Sequence, residues 1–266
     1  MRRRLSQFAL ADVVRTIGLV LCSWLIAIGA SCDSREAPRG KPAHSDRQML
    51  FEWGVPVLED RKATVEDTTN AVTYVNAALI GLLPKLTREE MVRLHDALAR
   101  AMESEDAKLR REAVFALGYL GQRYLPAQAL ALRALLMDPE LEVRTSAASG
   151  LTWSDRDNQH GLLSVFRLLL DSPQVDKPLK EAIVGDLSRF RIIEALDLYS
   201  EFAGRFEDES WRLEPFGSAP YPSFGQPEEF QTLDQWRSWY RGHRDEVYYD
   251  VEKDRWRFRP KGEGEN

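Results

Sequence analysis

The sequence predicts an all-α protein, an α-solenoid of helical pairs closed by a small aromatic-rich helix and hairpin. Three observations predict it. A nine-residue pattern recurs: Leu109–Leu117, then Val143–Leu151 34 residues later, then Leu179–Leu187 36 residues after that, with a weaker copy, Ala71–Leu79, 38 residues upstream of the first. Each copy is apolar or small at offsets 0, 4 and 8, and small at offset 7 except in the third. Those offsets share one side of a helix, and a period in the thirties marks a helical repeat array. The second observation is a helix-start signal ahead of most periodic segments. The third is composition: 44% apolar and 29% charged residues, ordinary for a globular chain.

Residues 1–32 read as an address. Arg2, Arg3, Arg4 and Arg15 flank an uncharged stretch from Thr16 to Ser31. Its centre, Ile17–Ile28, suits a signal-peptide core and is short of the ~20 apolar residues of a spanning helix. Gly29, Ala30 and Ser31 precede Cys32, after which the chain turns polar. This resembles the lipobox of bacterial lipoproteins, with Gly29 where that family usually has Leu. The resemblance implies that Cys32 is lipidated and becomes the mature N-terminus. An uncleaved anchor and ordinary secretion are the alternatives. All three place the body on the far side of the cytoplasmic membrane, because the arginines stay inside; the lipoprotein and anchor readings hold it at the bacterial cell envelope. The sequence leaves inner or outer membrane open. Residues 33–63 read as a flexible tether and lead-in. The stretch Ser34–His44 is rich in Pro, Gly and charge, while Met49–Trp53 and Val55–Leu58 can pack on the first repeat.

The repeats span 64–206. Thr64 opens the first helix, which Pro84 ends; Thr87-Arg-Glu-Glu90 is a capping box for the second. Asp106 caps the third, which Gly121 is placed to end. Pro126 sits near the start of the fourth. Asp138-Pro139 reads as a cap followed by proline at the first helical position. Helices are expected over about 158–170, from Asp176 through Phe190, and over 192–206.

Asp106 with Leu109-Arg110, and Asp138-Pro139 with Val143-Arg144, resemble the second-helix motif of HEAT repeats, in the bilin-lyase flavour completed by Ala116-Leu117-Gly118. The resemblance implies that aspartate and arginine pair along the stack and that Ala113, Ala116 and Ala147 are buried where helices touch. The outer copies depart from it, with Val72 and Lys180 at the arginine position and Asp186 at a small one.

Residues 207–266 break the period. Glu214–Pro227 holds four prolines and two glycines and reads as irregular. Thr232-Leu-Asp-Gln235 is a capping box, and Val247–Val251 with Arg255–Arg259 reads as a hairpin, Trp256 and Phe258 on one face and three arginines on the other. Four of the seven tryptophans lie from Trp211 to Trp256. They are read either as a cap closing the last repeat or as a platform for sugar or peptide.

The net charge is −6; the first 32 residues contribute four arginines and one aspartate, so −6 − (+3) leaves −9 for the rest. An acidic body argues against nucleic-acid binding. Both cysteines, Cys22 and Cys32, lie in the N-terminal segment, so the body has no disulfide or thiolate metal site. The histidines show no metal-ligand spacing, and His243-Arg-Asp245 lacks the rest of a kinase signature. The expected function is a non-catalytic, membrane-tethered scaffold for an unidentified protein partner, without cofactor or metal. A glycan-binding module and a bilin-lyase-like enzyme or chaperone are the alternatives; the signal segment argues against the last. Tyr119 and Trp153 occupy the same offset in adjacent repeats and should be neighbours. With Phe115, and Arg111 and Glu112 at the rim, they form the candidate partner surface, or else fill the seam between repeats.

Overall fold

The computed structural model describes residues 44–205, 230, 232–253 and 255–259. These are mostly helical, with one antiparallel hairpin. The expected signal segment, Cys32, the Ser34–Ala43 stretch, Trp211 and the Pro/Gly stretch lie outside them.

The lead-in is helical from His44. Helix α1 (His44–Met49) passes through a π-helical turn (Leu50–Gly54) into α2 (Val55–Glu59). Leu50, Val55 and Leu58 are buried against α3 (Val65–Leu82). Ion pairs Arg47–Glu90 and Arg93–Glu59, both 2.7 Å, bracket this segment against α4 (Arg88–Ala101). Thr64 caps α3, and Pro84 sits in the 3-10 turn that ends it. The capping box at Thr87 forms in full, with Glu90 reaching back to the Thr87 amide.

Next come α5 (Ala107–Leu120), α6 (Leu125–Met137), α7 (Leu141–Leu151), α8 (Arg156–Asp171), α9 (Lys177–Leu187) and α10 (Ile193–Phe202), which runs into a 3-10 turn at Ala203–Arg205. The expected cap at Asp138 is corrected. Glu140 is the N-cap of α7 and Pro139 lies outside the helix. Likewise α9 stops at Leu187, short of Phe190, because Ser188 takes over as its C-cap.

Helices α3, α5, α7 and α9 pack each on the next, while α4, α6 and α8 pack on α5, α7 and α9. The recurrent stripe is what touches: Ala71, Val75 and Leu79; Leu109, Ala113, Ala116 and Leu117; Val143, Ala147 and Leu151; Leu179, Ile183 and Leu187 are all buried. Each fully buried leucine contributes about 1.5–3 kcal/mol. The closest approach is glycine on glycine. A Cβ added to Gly118 would lie 2.5 Å from the carbonyl carbon of Gly150, so α5 and α7 meet backbone to backbone.

Helix α11 (Leu233–His243) opens on the expected capping box at Thr232 and runs past Gly242. Strands β1 (Val247–Asp250) and β2 (Arg255–Phe258) pair antiparallel with Tyr249 opposite Trp256. Trp236, Trp239, Tyr240, Val247 and Trp256 are buried. Trp236 sits edge-on to Tyr199 of α10 at 5.3 Å. Asp197 is the polar tie of this contact. Its carboxylate accepts the Tyr240 hydroxyl at 2.9 Å and two Arg244 N–H groups at 2.8 and 2.6 Å. Burial, and with it the neighbouring Asp197 carboxylate, pushes the Tyr240 phenol well above its ordinary range.

Candidate functional site

Two arrangements of side chains run across the row α3–α5–α7–α9. The first is a ladder of ion pairs on its amino-terminal side. Arg110 on α5 makes a two-pronged contact with Asp138, Nε to Oδ2 at 3.0 Å and Nη2 to Oδ1 at 3.1 Å. Its remaining nitrogen, Nη1, donates to the carbonyls of Ser104 and Glu105. Both side chains are nearly closed to solvent, 11% and 8% exposed, and Asp138 holds the guanidinium above its ordinary pKa. Arg144 on α7 repeats the contact with Asp176, at 2.7 Å through one nitrogen, but Asp176 is 55% exposed and Arg144 Nε is buried without a partner.

This ladder explains the corrected cap at Asp138. A carboxylate given to an arginine has less to give to the free amides of the helix that follows. Asp138 keeps one bond to the Glu140 amide, and Asp176 makes no capping bond. Asp106 receives no arginine from the preceding copy, which has Val72 there, and it caps the Leu109 amide at 2.8 Å.

The second arrangement is the exposed face of the same row. Tyr119 and Trp153 are neighbours, their ring centroids 5.7 Å apart and tilted by 56°. Trp153 is 39% exposed. Phe115 and Tyr119 are half-buried, and the Phe115 backbone lies against Gly150. The three rings therefore lie at the surface of the α5–α7 seam, neither sealed within it nor standing clear of it. Arg111 pairs with Glu112 at 2.8 Å and reaches Glu142 at 3.5 Å. Glu142 is 75% exposed. Ala113, Ala116 and Ala147 lie beneath this face, fully buried.

Several residues of this face were not singled out by the sequence. Asn76 on α3 donates to the Glu112 carbonyl at 3.2 Å and to its carboxylate at 3.3 Å, while its own Oδ1 is buried without a partner. Ser146 donates to the Arg111 carbonyl at 2.9 Å. Ser149 donates to Asp186 on α9 at 2.5 Å, and Arg189 pairs with the same carboxylate at 2.6 Å. Burial pushes the Asp186 carboxyl above the ordinary aspartate range, against the pull of Arg189 and Ser149. A polar residue breaking the small-residue rule at offset 7 was the available signal for Asp186. Trp53, half in solvent, packs edge-on to Tyr74 at 5.7 Å at the far end of the row.

Three of the four C-terminal tryptophans lie among the described residues. Trp236, Trp239 and Trp256 are buried, and Trp239 is stacked on His243 at 4.8 Å and tilted against Phe258 at 5.1 Å. His243 Nδ1 bonds the Trp239 carbonyl. His95 pairs with Asp96 at 2.9 Å. Among the described residues no cluster of His, Cys, Asp and Glu is arranged to hold a metal ion, and no helix is long and apolar enough to cross a membrane. A shallow hollow of about 450 Å³ on α4 is lined by Arg88, Glu89, Val92, Arg93 and Asp96 and opens widely to solvent. No protein-family model, no curated protein and no solved structure matches this chain.

Proposed function

We propose that the chain is a non-catalytic scaffold for protein–protein interaction, an α-solenoid of HEAT-like helical pairs held at the bacterial cell envelope through its N-terminal segment. The solenoid reading is supported by the successive packing of α3, α5, α7 and α9 and by the two-rung Arg–Asp ladder between them. In such an array the second helices of the pairs line one continuous surface suited to partners. The observation that carries the functional reading is Trp153, 39% exposed against Tyr119 on that surface. An exposed tryptophan is the kind of anchor that dominates interface energy. The envelope location is supported by the Arg2–Arg4, Ile17–Ile28 and Gly29–Cys32 sequence, which resembles a lipoprotein signal.

The experiment is a photo-crosslinking residue placed at position 153 in cells, with the same residue at Leu168 of α8 as control, since Leu168 is also exposed. A discrete crosslinked protein at 153 and none at 168 is the expected result. Equal labelling at both positions, or none at 153, overturns the reading.

A further inference from the structure

We infer that the face carrying Met49 and Trp53 rests in the headgroup region of the bilayer that anchors the chain. This rests on the membrane-tether part of the reading above and is independent of the partner surface.

The lead-in carries more apolar surface than its packing uses. Leu50, Val55 and Leu58 supply what it buries against α3. Met49 and Trp53 stay outside that contact, 47% and 42% exposed, about one turn apart and so on one side of the segment. Trp53 stands edge-on to Tyr74 at 5.7 Å. Tyr74 begins a side of α3 that continues through Ala77, Ala78 and Gly81, at spacings of three, four and seven. All four are exposed or half-buried, and a Cβ on Gly81 would meet nothing within 4 Å. None of them is charged. The polar side chains next to Met49 and Trp53 in the lead-in are engaged with one another or with α4: Gln48 donates to Glu52 at 3.0 Å, and Arg47 pairs with Glu90 at 2.7 Å.

What covers this face follows from where the chain enters the fold. Residues 33–43 separate Cys32 from His44, and a chain of that length spans at most about 40 Å. Met49 and Trp53 come in the first turns after His44, so an anchor at Cys32 keeps them within reach of the bilayer. The other large exposed apolar residues of the fold, such as Trp153, Leu168 and Val251, come more than a hundred residues later. Tethering raises the effective concentration of the bilayer, so a contact of this modest size suffices. Tryptophan and tyrosine favour the headgroup level, where an apolar ring meets a wet boundary. The side chains of the face bring no charge to orient a protein partner, and a fluid lipid surface needs none.

The test uses the full chain in phosphatidylcholine vesicles, part of the lipid brominated on the acyl chains near the headgroups, and reads the fraction of tryptophan emission that the bromine quenches. The chain has seven tryptophans, so Trp53 is isolated by difference. Trp53→Phe removes a quenched ring and should lower the quenched fraction. Trp153→Phe is the control: Trp153 is 39% exposed on another face, and removing an unquenched ring should raise the fraction. Met49→Glu, which puts a charge into the contact, should lower it as Trp53→Phe does. Met49 and Trp53 are exposed, so each variant should melt as the parent does, which keeps the comparison on the contact. A quenched fraction that rises in Trp53→Phe overturns the inference, and so does capture of a second copy or of another protein by a photo-crosslinking residue at position 49 in cells. If the chain sediments with the vesicles while Trp53 goes unquenched, the tether reading stands and this inference alone falls; if it does not sediment with them, both fall.

Discussion

Replacing Gly118 by alanine tests the packing on which everything else is built. The new Cβ would lie 2.5 Å from the Gly150 carbonyl carbon, 2.7 Å from its Cα and 2.9 Å from the Leu151 nitrogen, where ordinary contact begins at 3.4 Å. All three atoms are backbone of α7, so no side chain can rotate away. The helices must part locally by about 1 Å, which strains the 2.9 Å bond from Ser146 to the Arg111 carbonyl. Overpacking of this kind costs about 1–3 kcal/mol, and alanine returns about 0.8–1 kcal/mol of helix propensity. The net loss is about 0–2 kcal/mol, or up to about 8 °C of melting temperature for a unit of this size. Gly81→Ala is the matched control, because a Cβ there meets nothing within 4 Å. It should raise stability by up to about 1 kcal/mol. Thermal melts followed by circular dichroism give both numbers. If Gly118→Ala melts as high as Gly81→Ala, α5 and α7 do not meet at this glycine pair, and the repeat-to-repeat packing is wrong.

The two rungs of the ladder should differ. Arg110→Ala leaves a nearly buried Asp138 carboxylate unpaired and should cost about 2–3 kcal/mol in a melt, whereas Arg144→Ala, opposite an exposed Asp176, should cost about 1 kcal/mol or less; equal losses would refute the distinction. Asp186 sets a pH dependence. Its folded pKa lies above the unfolded value, so the fold binds this proton more readily than the unfolded chain does. That contribution is full below the unfolded pKa and is lost as pH rises through the folded one. Between about pH 7 and about pH 4 the melting temperature of the native chain should therefore gain on that of Asp186→Asn as pH falls; a constant difference would count against a raised pKa. Cys32→Ser should abolish lipid labelling and processing, and an unmodified Cys32 in the mature protein, found by mass spectrometry, would falsify lipidation.

The helical class was legible because the stripe at offsets 0, 4 and 8 depends only on local period, and because Thr64, Thr87, Asp106 and Thr232 act on amides a few residues away. Asp138 was misread for the opposite reason. Its role depends on Arg110, 28 residues away, which takes the oxygens that a local rule assigns to a cap. The Tyr119–Trp153 neighbourhood followed from matching offsets in adjacent copies. Asn76, Ser146 and Ser149 were invisible for want of such a pattern: each bonds a residue of the next or the previous copy through an offset the repeat does not hold constant. The burial of Trp236 and Trp239 needed the position of α11 on α10, which rests on Asp197, a surface-type residue in the sequence with nothing to mark it as the tie.

The most direct test of the central claim is the pair Phe115→Ala and Trp153→Ala, made together and assayed for both melting temperature and recovery of the partner captured by a photo-crosslinking residue placed instead at position 119. Large aromatics sealed in a core would cost about 3–5 kcal/mol each; residues of a partner surface should leave the melt within a few degrees of the parent and abolish the crosslink. A double variant that folds normally and still yields the crosslinked partner at full strength contradicts the claim.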